Sequence, residues 1–97
     1  MHEHVVMVKL ADPAEAPPVA ARMRTMAGRI PGLLELEARI NTIDSQYSHD
    51  VMLRTRFVDR DAYDAYATDP VHTEVREFVL ARMTGAATCD YEVGSQP

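Results

Sequence analysis

At 97 residues the chain has room for one domain, 1–97, and not comfortably for two. A hydrophobic content of 46% is ordinary for a globular protein, but four Tyr, two Phe and no Trp leave the core to aliphatic side chains, with six Met to fill irregular gaps. Fifteen acidic against ten basic residues give a formal charge of −5, and the Arg residues are scattered, which argues against nucleic acid and anionic membrane as partners.

The start, Met1-His2-Glu3-His4, has no basic region, and the apolar run behind it is broken by Lys9 and then Asp12-Pro13, so neither a signal peptide nor a membrane span fits. From His4 to Leu10 the residues are mostly Val and Met, which predicts a strand. Ala11 to Pro18 carries three prolines and no apolar period, and reads as a connection. From about Pro18 to Arg29, Val19, Met23, Met26 and Ile30 recur at helical spacing, and Pro31-Gly32 ends the pattern.

Leu34, Leu36, Ala38 and Ile40 alternate with Glu35, Glu37, Arg39 and Asn41, the period of a half-buried strand. Val51, Leu53, Thr55 and Phe57 alternate likewise with Asp50, Met52, Arg54 and Arg56. The short polar stretch Thr42 to Ser48 between the two predicts a hairpin. Asp59 opens a brief helix over Arg60 to Thr68. Asp69-Pro70 opens a longer one through about Met83, with Val71, Val75, Phe78, Val79 and Met83 on its apolar face. Gly85 stops it, and Ala87 to Val93 reads as a last strand.

The order β-α-β-β-α-α-β predicts an α+β, ferredoxin-like split βαβ fold: a four-stranded antiparallel sheet with helices on one face. The other face then presents Val5, Met7 and Met52 among Lys9, Arg39, Arg54, Arg56, Glu35, Glu37 and Asp50. Pairing with the same face of a second chain would bury the Met and Val residues and let Glu meet Arg, so a homodimer is expected.

Cys89 is alone, so no intrachain disulfide forms; a cytoplasmic address follows, with Cys89 a small buried thiol. His72 falls in the first turn of the helix opened by Asp69-Pro70, where the helix dipole disfavours imidazolium. A neutral imidazole and a phenol make a workable minimum for abstracting a proton next to a carbonyl. Tyr66 and His72 supply the two, with His4 a third polar group if its side chain points to the helix side. The break between helices should bring Tyr66 and His72 within hydrogen-bond reach or one water of each other. Alternatively Tyr66 packs beneath the short helix and His72 merely continues a turn. Tyr63 and Tyr91 read as core.

His2 and His4 share one side of a strand at a spacing that can chelate a divalent ion, but no third ligand at a companion spacing is visible, and no metal is assigned. Glu35, Glu37, Arg54 and Arg56 read as cross-strand and cross-dimer ion pairs. No Gly-rich phosphate cradle or axial haem ligand is apparent, so no cofactor is expected.

His4-Val5-Val6-Met7-Val8-Lys9-Leu10, Ile30-Pro31-Gly32, Asp50-Val51-Met52-Leu53 ending in Phe57, Tyr66-x-x-Asp69-Pro70-x-His72 with Val75 and Phe78-Val79, and the closing Asp90-Tyr91-Glu92-Val93 together resemble the stress-responsive dimeric α/β-barrel family, Dabb, over nearly the whole chain. The resemblance implies a ferredoxin-like monomer whose sheet packs on a partner's sheet to form a dimeric α/β barrel, most bacterial members having no assigned activity. More distantly, the chain is similar to the plant polyketide cyclases of that fold, which implies a cofactor-independent, cyclase-like or lyase-like acid/base pair at Tyr66 and His72. Asp69 stands where the cyclase segment has its first His, and Val51 where that branch has a strand His. Two functions are therefore open: a dimeric stress-responsive domain binding a small hydrophobic carbonyl compound, or an enzyme acting on one.

Overall fold

A computed structural model describes residues 1–94 and 96. Four strands, β1 (His2–Leu10), β2 (Leu33–Ile40), β3 (Val51–Phe57) and β4 (Met83–Glu92), are joined by three helices, α1 (Ala16–Arg24), α2 (Arg60–Tyr66) and α3 (Pro70–Leu80). The sheet order is β2-β3-β1-β4, every neighbouring pair antiparallel. This is the ferredoxin-like split βαβ arrangement that the element order predicts.

Cross-strand partners show a face, so the registers sort the strands into two sides. Val8 pairs with Val51 and Val6 with Leu53, and these, with Leu10 and Phe57, look toward the helices. There they join Val19, Met23, Val75 and Val79 in one core. Glu3, Val5 and Met7 pair with Arg56, Arg54 and Met52 on the opposite, open side, as the alternation requires.

Several elements differ from the sequence reading. Helix α1 starts earlier, at Ala16, because Pro17 and Pro18 occupy its first turn, where a missing N–H is harmless. Its regular part ends at Arg24; Met26 and Ile30 stay buried because i→i−3 turns carry the chain on around the same side, and Gly28 takes φ +75°. In β2 a register shift between Leu33 and Glu35 turns Leu34 out to solvent, 54% exposed, and puts Leu33 opposite Phe57. Helix α3 stops at Leu80, and Met83 and Gly85 belong to β4, where Gly85 pairs with Lys9.

Gly32 is a required glycine. It has φ +79°, and an added Cβ would stand 2.6 Å from the Cβ of Ala62 in α2. The loop before β2 and the second crossover are thereby held in contact.

Candidate functional site

Tyr66 ends α2 and His72 lies in the first turn of α3; Asp69 separates them as the N-cap, its carboxylate accepting the Val71 N–H at 2.8 Å. One continuous helix would set residues six apart about 120° out of register. The break at Ala67 and Thr68 instead lays the His72 ring on the Tyr66 ring. The contact is stacking, and among the described residues no direct hydrogen bond joins the pair, so of the two approaches expected from the helix break, direct or through one water, the direct one is not made.

Tyr66 is 4% exposed, and burial pushes its phenol pKa well above the ordinary value, so it remains a proton donor. Its hydroxyl donates to the soft Met26 sulfur, 3.9 Å away. Burial lowers the pKa of His72, with the Arg76 and His4 charges acting the same way and the backbone of Ala67 and Tyr66 opposing. Its Nδ1 is shut off from solvent and has no partner among the described residues.

His4 does point to the helix side. Its Nδ1 lies 2.7 Å from Asp90 Oδ1, and His2 Nε2 lies 2.9 Å from the same oxygen. If both rings donate to that carboxylate oxygen, His4 keeps Nε2 as its free acceptor. The Tyr63 ring tilts over both imidazoles, with centroids 4.5 and 5.1 Å away, and its hydroxyl is 3.4 Å from His4 Nδ1. His2 and His4 are thus engaged with a carboxylate, and no group of three metal-ligating side chains is arranged for an ion among the described residues.

Tyr66, His72 and His4 all line one cavity between sheet and helices, with Tyr63 beside them and apolar walls from Val6, Val8, Met23, Met26, Leu53, Val75 and Val79. Its volume is about 230 Å³. Drug-sized ligands occupy roughly 300–1,000 Å³, so the space is neither filled by side chains nor large enough for such a ligand. Asp90 was not singled out from sequence as a site residue. Its partner His4 is 86 positions away, and the available signal was a carboxylate at an inward-facing place in β4.

The open side carries the cross-strand ion pairs that were expected and corrects two other expectations, at Cys89 and Tyr91. Glu35 and Glu37 pair with Arg54 and Arg56 of their own chain, and Glu3, 2% exposed, sits between the same two guanidiniums, 2.7 Å from Arg54 Nη1 and 3.0 Å from Arg56 Nη2. Cys89 is exposed on this face, opposite Val5, where small neighbours leave β4 uncovered. Tyr91, opposite Glu3, is 45% exposed and not core.

The sequence profile of the stress responsive A/B barrel domain, Dabb, matches residues 3–93. No protein of curated function matches. Among solved structures, a dimeric ferredoxin-like protein of unknown function from Jannaschia sp. CCS1 is 26% identical, with a TM-score of 0.78 over 95% of this chain and 98% of that one. A dimeric ferredoxin-like protein of unknown function from Bacteroides fragilis NCTC 9343 is 20% identical, with a TM-score of 0.80 over 94% of each chain. The hydroxynitrile lyase of Passiflora edulis shares the fold at 10% identity, with a TM-score of 0.80 over 99% of this chain and 96% of its own.

Proposed function

The chain belongs to the stress responsive A/B barrel domain family, and from that premise we propose that it is a homodimer in which each protomer holds a small, apolar, carbonyl-bearing compound in its helix-side cavity. The observation that carries the reading is unspent hydrogen-bonding capacity beside an apolar wall: among the described residues the Tyr66 hydroxyl donates to a methionine sulfur alone, a weak acceptor. A ligand carbonyl would accept from that hydroxyl, which burial keeps protonated. The dimer would use the open sheet face, where Met7 is 41% exposed. The exposed thiol of Cys89 suits a reducing compartment such as the cytoplasm.

Native mass spectrometry of gently purified protein tests the ligand. A bound small molecule is expected, and it should be lost when Val79→Trp fills the cavity. No bound mass, with no thermal shift across a panel of small ketones and aldehydes, overturns the reading.

A second reading, a cofactor-independent cyclase-like or lyase-like enzyme, is favoured by the neutral state of His72. Tyr66 would donate to the developing enolate oxygen while His72 takes the adjacent carbon-bound proton. His4, oriented by Asp90, would reach the same cavity from the sheet side as an auxiliary base.

A further inference from the structure

Arg76 is set apart from the other arginines. The chain has nine, in a protein of net charge −5. Among the described residues, Arg22, Arg39, Arg54, Arg56, Arg60 and Arg82 are ion-paired, and Arg24 and Arg29 donate to the backbone carbonyls of Ala38 and Thr25. Arg76 makes neither kind of contact, and yet it is one of the residues lining the cavity. Its i±4 neighbours on α3 are His72 and Leu80, so its helix stripe offers no carboxylate.

The lining as a whole has the same bias. It includes His4, Tyr63, Tyr66, His72 and Arg76, and not one Asp or Glu, although acidic residues outnumber basic ones in the chain. Arg76 is solvent-exposed and one helical turn from His72, whose pKa is lowered first by burial and to a lesser degree by the guanidinium charge. A cation beside an apolar wall attracts an anion more strongly than one in open water, and a guanidinium matches a carboxylate through two parallel N–H···O bonds.

We propose that the ligand of this cavity is a small monocarboxylate with an apolar body, its carboxylate held by Arg76 and its hydrocarbon part against Met23, Met26, Val75 and Val79. The proposal rests on the cavity being a ligand site and adds the charge of the ligand to it. With about 230 Å³ available, the body is no larger than a single aromatic ring or a short alkyl chain.

Isothermal titration calorimetry on the full-length protein tests this with two matched pairs, phenylpyruvate against phenylacetone and 2-oxooctanoate against 2-octanone. Each pair shares its ketone and apolar body and differs in the carboxylate. The acids should bind about tenfold or more tightly than the neutral ketones. Arg76→Gln should bring the two within about twofold by weakening the acid alone, and Arg76→Lys should restore part of the preference. Equal binding of acid and ketone to the unaltered protein overturns the charge assignment while leaving the cavity as a ketone site. An acid preference that survives Arg76→Gln overturns the role of Arg76. Failure of all four compounds to bind removes the cavity reading and this proposal with it.

Discussion

The imidazole of His72 lies on the phenol ring of Tyr66 with 3.8 Å between centroids and 28° between planes. Each ring covers the other, so the base candidate is half-buried, with its Nδ1 shut off from solvent, and the acid candidate is fixed in orientation. Both consequences come from the two-residue break between α2 and α3, which is why a short irregular segment matters more here than either helix.

Burial lowers the pKa of His72 from 6.5, so the unfolded chain binds more protons than the folded one in that region, and stability rises with pH there. The contribution is complete above pH 6.5 and is lost as pH falls through the lower folded value. Glu3 and Asp90, also lowered, act in the same direction further down, with their contributions complete above pH 4.5 and 3.8. NMR titration should give His72 a midpoint below 6.5, and His72→Phe should flatten the fall in thermal midpoint just below that pH. A midpoint at or above 6.5 contradicts the burial of His72 against Tyr66.

For a carbonyl substrate that is turned over, Tyr66→Phe and His72→Ala should each lower the rate about 10²-fold or more, with thermal melts showing a folded protein. Asp90→Asn should lower it less, by disturbing His4. Equal turnover by all the variants would remove Tyr66, His72 and Asp90 from the chemistry.

Asp69 holds the Val71 N–H through its carboxylate and accepts the Thr73 N–H at its carbonyl, 2.9 Å away. Asp69→Ala removes the first of these bonds and should cost about 0.5–2 kcal/mol in a urea melt. An unchanged midpoint argues against the cap.

Light scattering should show a dimer at micromolar concentration, with more than about 1,000 Å² buried in total. Met52 lies on the open face between Met7 and Arg39 in the strand registers. Met52→Asp introduces a charge there and should give monomer or aggregate. A dimer that tolerates it would place the interface elsewhere.

Glu3→Gln keeps the shape of the buried side chain and removes its charge from between Arg54 and Arg56. Weakening these charge-assisted bonds, one from Arg54 and two from Arg56, should cost about 1.5–3 kcal/mol, read from denaturant midpoints. Much of the loss should be absent in a Glu3→Gln, Arg54→Met double variant, since the guanidinium left over is then gone too.

Period-two alternation made β2 and β3 legible, and Asp59 and Asp69-Pro70 placed both helix starts, because these signals are local and chemical. Leu34 was misplaced because a bulge inserts one residue without changing the alphabet of the strand. Met83-Thr84-Gly85-Ala86 has little intrinsic strand preference and becomes strand only because β1 offers an edge to pair with. At the site, Tyr66, His72 and His4 were nominated by residue type and spacing, and the structure gathers them around one cavity. Asp90 and Arg76 were not, since a carboxylate in a strand and an arginine on a helix look ordinary until the distant residues around them are known.

Strand β1 is one layer of backbone with two audiences. His4 looks into the cavity and Glu3, the next residue, holds the paired guanidiniums on the far side of the sheet. Any sideways shift of the strand that makes room for a guest beside His4 carries Glu3 along, and with it Arg54 and Arg56. A guest that moved His4 would therefore, through the pleat, also move the surface where another copy would rest.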